Sequence, residues 1–432
     1  MIFYAIHLQE LFPNAIFVGK FVMNVLGESM NTQINAYLAV GYACNQKCRC
    51  CPIANNTNKD ELIVPFDRIE KEADTMKQLG ITDVTISGGE PTIHPDFFNI
   101  IDLFFKRNIS VHVLSNGERF SEQLFREKFL DAVKGKPISI TTTFHRHFAA
   151  EHEFQNQSTG SFNRSFEGLK ALDAAGINIA VKHCITANNY SELPEFVEWV
   201  LNSFSSNAEI QLWGIDVCGV SNDLAREMFV DYKKIGAYIE KTIDLFENID
   251  SNFERVLTIN NLPLCMCDPY YWTYFTPPES DNYIEHLQNG RKMDAISGPA
   301  SKNCNGCRFR SYCQGVYYSI FDLFGDDIVS QSINETKIST YTPHITVYNQ
   351  DKINLTYLSP YFQIELHPAG FRLWNTRLGN YVVLRVKTEQ MRTILLMLQN
   401  GVQDDKLVEA LNEIKVSGAK VVNELMLKGI IE

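Results

Sequence analysis

The sequence predicts an α/β protein built around a partial barrel of six strand–helix units, with a small cysteine-rich unit and a C-terminal α+β unit behind it. Short β-branched, apolar runs alternate with amphipathic stretches from about residue 36 to 216. Each gap between runs is long enough for a crossover helix, which implies a parallel sheet. The residues of unusual chemistry fall just past the expected strands, where parallel barrels place their active sites.

The expected strands are Ala36–Gly41, Asp83–Ser87, Ser110–Ser115, Ser139–Phe144, Asn178–Ile185 and Glu209–Ile215. Helical patterns between them cover Phe66–Leu79, Phe97–Arg107, Ser121–Val133, Phe162–Ala175 and Ser191–Leu201. Cys44 follows the first strand, Gly88-Gly89-Glu90-Pro91 the second, Asn116-Gly117 the third and His145 the fourth. From about 230 to 325 the periodicity weakens, and cysteines, aromatics and Pro277-Pro278 take over, as in a unit organised by a metal site. A polar run near Ser330–Ser339 reads as a linker. Beyond it, strand runs at Phe362–Leu366 and Tyr381–Val386 precede helices near 388–399, 404–414 and 417–428, with Gly401 and Gly429 as helix stops. The expected division is an N-terminal extension over 1–35, a core over 36–230, a cluster-bearing unit over 231–330 and a winged-helix-like unit over 340–432.

Composition narrows the function. With 432 residues, 45% hydrophobic and 21% charged, the chain reads as a globular protein of more than one domain. A net charge of −12 and the lack of any Lys/Arg-dense stretch argue against a nucleic acid partner. The apolar stretch Met1–Met30 is broken by Glu10, Lys20 and Glu28, so neither a signal peptide nor a membrane span is expected. The expected location is cytoplasmic. In that reducing compartment eleven cysteines are expected to be ligands more than disulfides.

Cys44-x-x-x-Cys48-x-x-Cys51 puts three thiolates on one short loop, enough to hold three irons of a cubane cluster and leave the fourth open. Chance would produce that spacing in fewer than about one in a hundred chains of this composition. A zinc loop is the alternative chemistry. The spacing resembles the signature of the radical S-adenosylmethionine (SAM) superfamily, and Cys50 stands where the family usually has an aromatic residue. Ser87-Gly88-Gly89-Glu90-Pro91 and Ser115-Asn116-Gly117 resemble the family's second- and third-strand motifs.

The resemblance implies a 4Fe–4S cluster on Cys44, Cys48 and Cys51, and SAM bound at Gly88, Gly89, Glu90, Pro91, Ser115, Asn116 and Gly117. Glu90 would accept from the cofactor's ammonium group. Reductive cleavage of the cofactor would yield a 5′-deoxyadenosyl radical, with flavodoxin or ferredoxin as electron donor. Thr142 and Thr143 are weaker cofactor candidates, and His145, His147 and His152 carry no assigned role.

Cys304-x-x-Cys307-x5-Cys313, about forty residues after Cys265, resembles the auxiliary-cluster region of the SPASM and twitch subfamilies. Tyr317 stands where the full SPASM pattern has a further cysteine, which implies one auxiliary 4Fe–4S cluster on Cys265, Cys304, Cys307 and Cys313. Cys267 could replace Cys265, and a four-cysteine zinc site remains an alternative. Residues 340–432 resemble the winged-helix element that binds ribosomal precursor peptides. Their ten Lys/Arg against nine Asp/Glu give no charge for DNA. The expected function is a peptide maturase forming a cross-link or epimerising a residue, with Cys218 as hydrogen donor in the second case. A small-molecule or folded-protein substrate is the runner-up, and a non-catalytic iron–sulfur module a third reading.

Overall fold

The computed structural model describes residues 35–51, 53, 62–250, 254–278, 284–286, 297–305, 307, 309–329, 355–359 and 361–432. The expected N-terminal extension (Asn35 apart) and the linker near Ser330–Ser339 lie outside the described residues.

The core alternates as the sequence implies. Its elements in order are β1 (Asn35–Ala39), α1 (Phe66–Gln78), β2 (Asp83–Ser87), α2 (Phe97–Phe105), β3 (Ser110–Leu114), α3 (Gln123–Val133) and β4 (Ile138–Thr143). There follow α4 (Ala149–Asn156), α5 (Ser161–Ala174), β5 (Asn178–Cys184), α6 (Leu193–Ser203), β6 (Glu209–Trp213), α7 (Asn222–Met228), α8 (Tyr232–Ile249) and β7 (Leu257–Asn260). A further strand, β8 (Ile284–His286), pairs parallel to β1. The sheet runs β7-β6-β5-β4-β3-β2-β1-β8, all parallel, with β7 and β8 as its two edges. It is an open, partial barrel. The structure thus adds two strands, β7 and β8, to the six expected. Both are short and lie where the sequence pattern had weakened.

Strand alternation gives the sheet two unlike faces. Val84, Ile86, Val111, Val113, Ile140, Val181, Ile210 and Leu212 form a buried back face. Helices cover it with apolar stripes, such as Leu193, Phe196, Val197, Val200 and Leu201 of α6. The front face carries Tyr37, Thr85, His112, Thr141, Thr143, Lys182, Gln211, Trp213 and Asn260, and cross-strand register holds these in rows. Hydrogen bonds link these side chains, across strands between His112 Nδ1 and Ser139 Oγ at 2.6 Å and along β6 from Trp213 Nε1 to Gln211 Oε1 at 3.2 Å. A packed barrel interior would be apolar. This one is a polar, half-accessible chamber.

After β7 come the hairpin strands β9 (Ser297–Gly298) and β10 (Val316–Tyr317), then α9 (Tyr318–Phe324). The C-terminal unit is an antiparallel sheet of β11 (Phe362–His367), β12 (Gly370–Asn375) and β13 (Tyr381–Leu384), followed by α10 (Thr388–Asn400), α11 (Asp404–Glu413) and α12 (Gly418–Leu427). It has its own apolar core, in which Phe371, Leu373, Met391, Leu398, Leu407, Leu411 and Leu425 are fully buried. Strand β12 escaped the sequence reading because Pro368 and Gly370 suggest a break. In fact Gly370 enters the hairpin at φ 128°, where a side chain would meet the Leu384 carbonyl.

A polar clamp joins this unit to α8 and to the segment after β7. Arg385 donates to Glu247 Oε1 at 2.6 Å, with its guanidinium 4.8 Å from the Tyr270 ring and 5.2 Å from that of Tyr274. Both tyrosine hydroxyls also donate to Glu247, and Lys387 donates to both Asp244 oxygens at 2.8 and 2.9 Å. Removing one partner leaves the other charge half-buried and unpaired. Arg385→Met is therefore expected to destabilise the chain by about 2–3 kcal/mol. Urea titration checks this, and an unchanged midpoint would show that the clamp contributes nothing net.

Candidate cluster and cofactor site

The three-cysteine loop is fixed by backbone contacts before any ligand enters. Past β1, Gly41 takes φ 145° where a Cβ would lie 2.4 Å from the Leu62 carbonyl oxygen. Gly89 N donates to Gly41 O and Glu90 N to Ala43 O, each at 2.8 Å. On the other side, Lys47 N donates to Asn156 O at 3.0 Å and Arg49 N to Gln155 O at 2.8 Å, tying the loop to the end of α4. Contact with the Gly88-Gly89 turn is so close that a Cβ on Gly88 would lie 2.1 Å from Gly41 O, and one on Gly89 2.1 Å from Ala43 O. Only glycines fit there.

Glu90 is the hub beneath the loop. It is buried, and its Oε1 accepts from Thr92 N (3.0 Å), Thr92 Oγ1 (2.6 Å) and Ser115 Oγ (2.8 Å). Its Oε2 accepts from Asn116 N at 2.6 Å. Burial raises the carboxyl pKa, against these hydrogen bonds, and no cation lies beside it among the described residues to offset the penalty. Asn116 Nδ2 donates to Asn45 Oδ1 at 2.7 Å, and Gly117 turns the chain at φ 82° against Thr142. Four of the expected cofactor residues, Glu90, Ser115, Asn116 and Gly117, thus meet in one hydrogen-bonded group, with Gly88, Gly89 and Pro91 beside it.

The thiols of the loop interact electrostatically. Burial pushes Cys44 up to about 11, with Glu90 and Cys51 adding, and pushes Cys48 up to about 12, with Cys51 and Cys44 adding. Such thiols stay neutral until a cation is present, and the charge of an iron cluster reverses that balance. Among the described residues no three His, Cys, Asp or Glu side chains converge on a point that suits one metal ion. Cluster ligation does not require it, because each thiolate of a cubane binds a different iron. Soft sulfur donors ringed on one loop fit an iron–sulfur cluster.

Glu118, with its partners Gln46 and Arg164, was not foreseen. Buried Glu118 accepts from Gln46 Nε2 and Arg164 Nε, each at 2.7 Å, and so anchors the loop to α5. Thr142 Oγ1 is buried without a hydrogen-bond partner. Cys184, at the end of β5, is the thiol whose charge reaches Cys48 and Cys50. Cys218 is exposed on the loop after β6, its amide donating to Asp216 Oδ1 at 2.9 Å.

Nearby, buried His145, His152 and His183 are pushed down to about 4, about 3 and about 3, by desolvation first. The unfolded chain takes up these protons below about pH 6.5 while the folded one does not. Stability is therefore full above about pH 6.5 and falls as pH drops towards 4. The expected loss at pH 5 is up to about 2 kcal/mol per histidine. Urea midpoints at the two pH values check this, and His183→Leu should flatten the slope.

The second cysteine group shares one pocket. Cys265, Cys304, Cys307 and Cys313 line it together with Pro263, Phe309 and Val316 around about 490 Å³ of space, open solvent included. Cys313 Sγ accepts from Leu264 N at 3.5 Å and Gly315 N at 3.3 Å. Gly315 takes φ 69° where a Cβ would strike Gly298. Cys267 does not line the pocket: it is buried, and its thiol reaches Gly236 O at 3.7 Å. Tyr317 is buried with its hydroxyl accepting from Asn261 Nδ2 at 2.5 Å.

An open parallel sheet with a three-thiol loop seated on a glycine turn at its carboxyl ends defines a known class. Residues 38–200 match the family described as the Radical SAM superfamily, and this segment is a radical SAM domain. The cofactors of such a domain are a 4Fe–4S cluster and SAM. Mycofactocin maturase MftC of Mycobacterium tuberculosis is 24% identical over 218 residues, covering 50% of this chain and 52% of that protein. Subtilosin biosynthesis protein AlbA of Bacillus subtilis is 24% identical over 220 residues, covering 50% and 47%. The chain thus spans about half the length of the curated relatives it matches. Streptococcus suis SuiB, solved with SAM bound, aligns at a TM-score of 0.48 and 14% identity over 70% of this chain and 76% of that one.

Proposed function

We propose that the chain is a radical SAM peptide maturase acting on a ribosomal precursor peptide. The observation that carries this is the Cys44–Cys51 loop, held by Gly88-Gly89-Glu90 above a polar, accessible chamber. Cys44, Cys48 and Cys51 supply thiolates to the first cluster. Glu90, positioned by Thr92, Ser115 and Asn116, keeps an acceptor site on Oε2 for the cofactor's ammonium group. The Gly88-Gly89 backbone, Pro91, Asn116 and Gly117 line the rest of that subsite. When bound, cluster and cofactor supply a 5′-deoxyadenosyl radical that takes hydrogen from the substrate, on an electron from a flavodoxin or ferredoxin.

Cys265, Cys304, Cys307 and Cys313 hold a second cluster. With all four thiolates bound, such a cluster would have no iron open to substrate and would supply an electron-accepting site, which favours an oxidised, cross-linked product. Cys218, exposed beyond β6, is the thiol available to return hydrogen if the product is an epimer instead. On this reading, residues 36–230 are the catalytic core, 231–330 the auxiliary-cluster unit and 340–432 the recognition unit. The edges of the β11-β12-β13 sheet offer a leader peptide a strand to pair with. No described helix is long and apolar enough to cross a membrane. Thiol ligands that must stay reduced support a cytoplasmic location.

The test is the mass of a candidate precursor peptide encoded beside this gene after anaerobic reaction with SAM and reductant in heavy water. Loss of hydrogen means a cross-link, and gain of one deuterium means epimerisation. An unchanged peptide despite released 5′-deoxyadenosine would redirect the assignment to small molecules.

A further inference from the structure

Lys182 is the sole lysine or arginine in strands β1–β7. It stands on the front face, in register with Thr143 of β4 and Gln211 of β6. Its ammonium lies 3.8 Å from the centre of the Trp213 ring. Among the described residues, no carboxylate forms an ion pair with it. The only front-face carboxylates of β1–β7 are Asp83 and Glu209, at the amino ends of their strands. Asp216, beyond β6, is engaged by Ser319 Oγ and Cys218 N.

Position adds to chemistry. Cys184 is two residues further along the same face, about 7 Å of strand nearer the mouth. Its thiol is in electrostatic reach of Cys48 and Cys50 on the cluster loop. Lys182 therefore sits one step below the place where the radical forms, pre-set on an aromatic platform. A half-buried cation facing an open polar chamber, without a carboxylate of its own, is arranged to meet an anion brought from outside.

We propose that Lys182 and Trp213 form a carboxylate subsite on the chamber floor, which selects a peptide whose reacting residue carries a carboxylate, on an acidic side chain or at the chain terminus. The proposal rests on the peptide-maturase reading and names its substrate class. The ammonium donates to the carboxylate oxygens, and this pairing holds the neighbouring C–H beneath the cluster loop. Lys182 acts by orienting substrate and exchanges no proton with it.

The test uses the full chain with its clusters loaded and a candidate precursor peptide encoded beside the gene. Lys182→Met should raise KM about 10- to 100-fold, the weight of one charge-assisted hydrogen bond. Replacing the carboxylate of the modified residue by its amide should cost the wild type the same factor and Lys182→Met nothing further. Lys182→Arg should recover part of the loss. A modified residue without a carboxylate, or equal kcat/KM for wild type and Lys182→Met, overturns the proposal.

If the wild type leaves the peptide unmodified, the maturase reading fails, and the subsite is judged alone by trace acetylation of Lys182, followed by mass spectrometry. Protection by glutarate but not by glutaramide upholds the subsite. Protection by neither, or by SAM only, overturns it, the latter because the carboxylate held would be the cofactor's.

Discussion

Cys44→Ala is expected to load one cluster where the wild-type chain loads two, and to release no 5′-deoxyadenosine above background. Three thiolates on one loop are the minimum that leaves a cubane with a single open iron. Removing one opens a second iron and loosens the cluster. Cys51, not Cys50, completes the three-cysteine spacing, and Cys50 packs half-buried against the core. Cys50→Ser should accordingly keep the wild-type iron and sulfide content. Iron and acid-labile sulfide per chain, with the electron paramagnetic resonance of the reduced protein, check both variants. Full cluster content in Cys44→Ala would mean that another residue completes the site.

Gly89→Ala should have nearly as large an effect without touching a ligand. Its Cβ would lie 2.1 Å from Ala43 O and 2.6 Å from Ala43 C, and backbone atoms cannot swing aside as a side-chain tip can. The loop must shift away from the Glu90 turn, breaking the Glu90 N to Ala43 O bond. Overpacking of this kind costs about 1–3 kcal/mol. The fold, carried by the apolar back face, should survive, while occupancy of the first cluster and affinity for SAM fall together. Gly80→Ala is the control: that glycine has φ 75° but open space around it. It should cost about 1 kcal/mol of backbone strain and leave the cluster intact. Equal cluster content in Gly89→Ala and wild type would show that the close approach is unimportant.

Much of this was legible in the chain because local rules and tertiary structure agree. Strands β2 to β6 announce themselves by β-branched runs such as Val84–Ile86 and Ile179–Val181, and the helices between by apolar spacing. The cysteine loop and the Gly88-Gly89-Glu90 turn are local in sequence, so their approach could be inferred from strand order. What sequence could not give is which distant side chains close on the site. Glu118 reaches Gln46 across 72 residues and Arg164 across 46, and no local pattern encodes such a meeting. Lys182 carries no signal of its own in the sequence, and strand register puts it on the chamber side. The short strands β7 and β8 are fixed by pairing with neighbours, and β8 reaches β1 across more than two hundred residues. Likewise the sequence favours Cys265 but leaves Cys267 as a possible replacement, and the turn at Leu264–Met266 directs Cys265 into the pocket and Cys267 towards Gly236.

The most direct test of the central claim is anaerobic release of 5′-deoxyadenosine from SAM by the reconstituted full chain with dithionite as reductant. The account predicts 5′-deoxyadenosine and methionine in equal amounts from the wild type, and neither from a chain lacking Cys44, Cys48 and Cys51. Absence of both products from a wild-type chain that carries its clusters would contradict it, and would leave an iron–sulfur protein without radical chemistry.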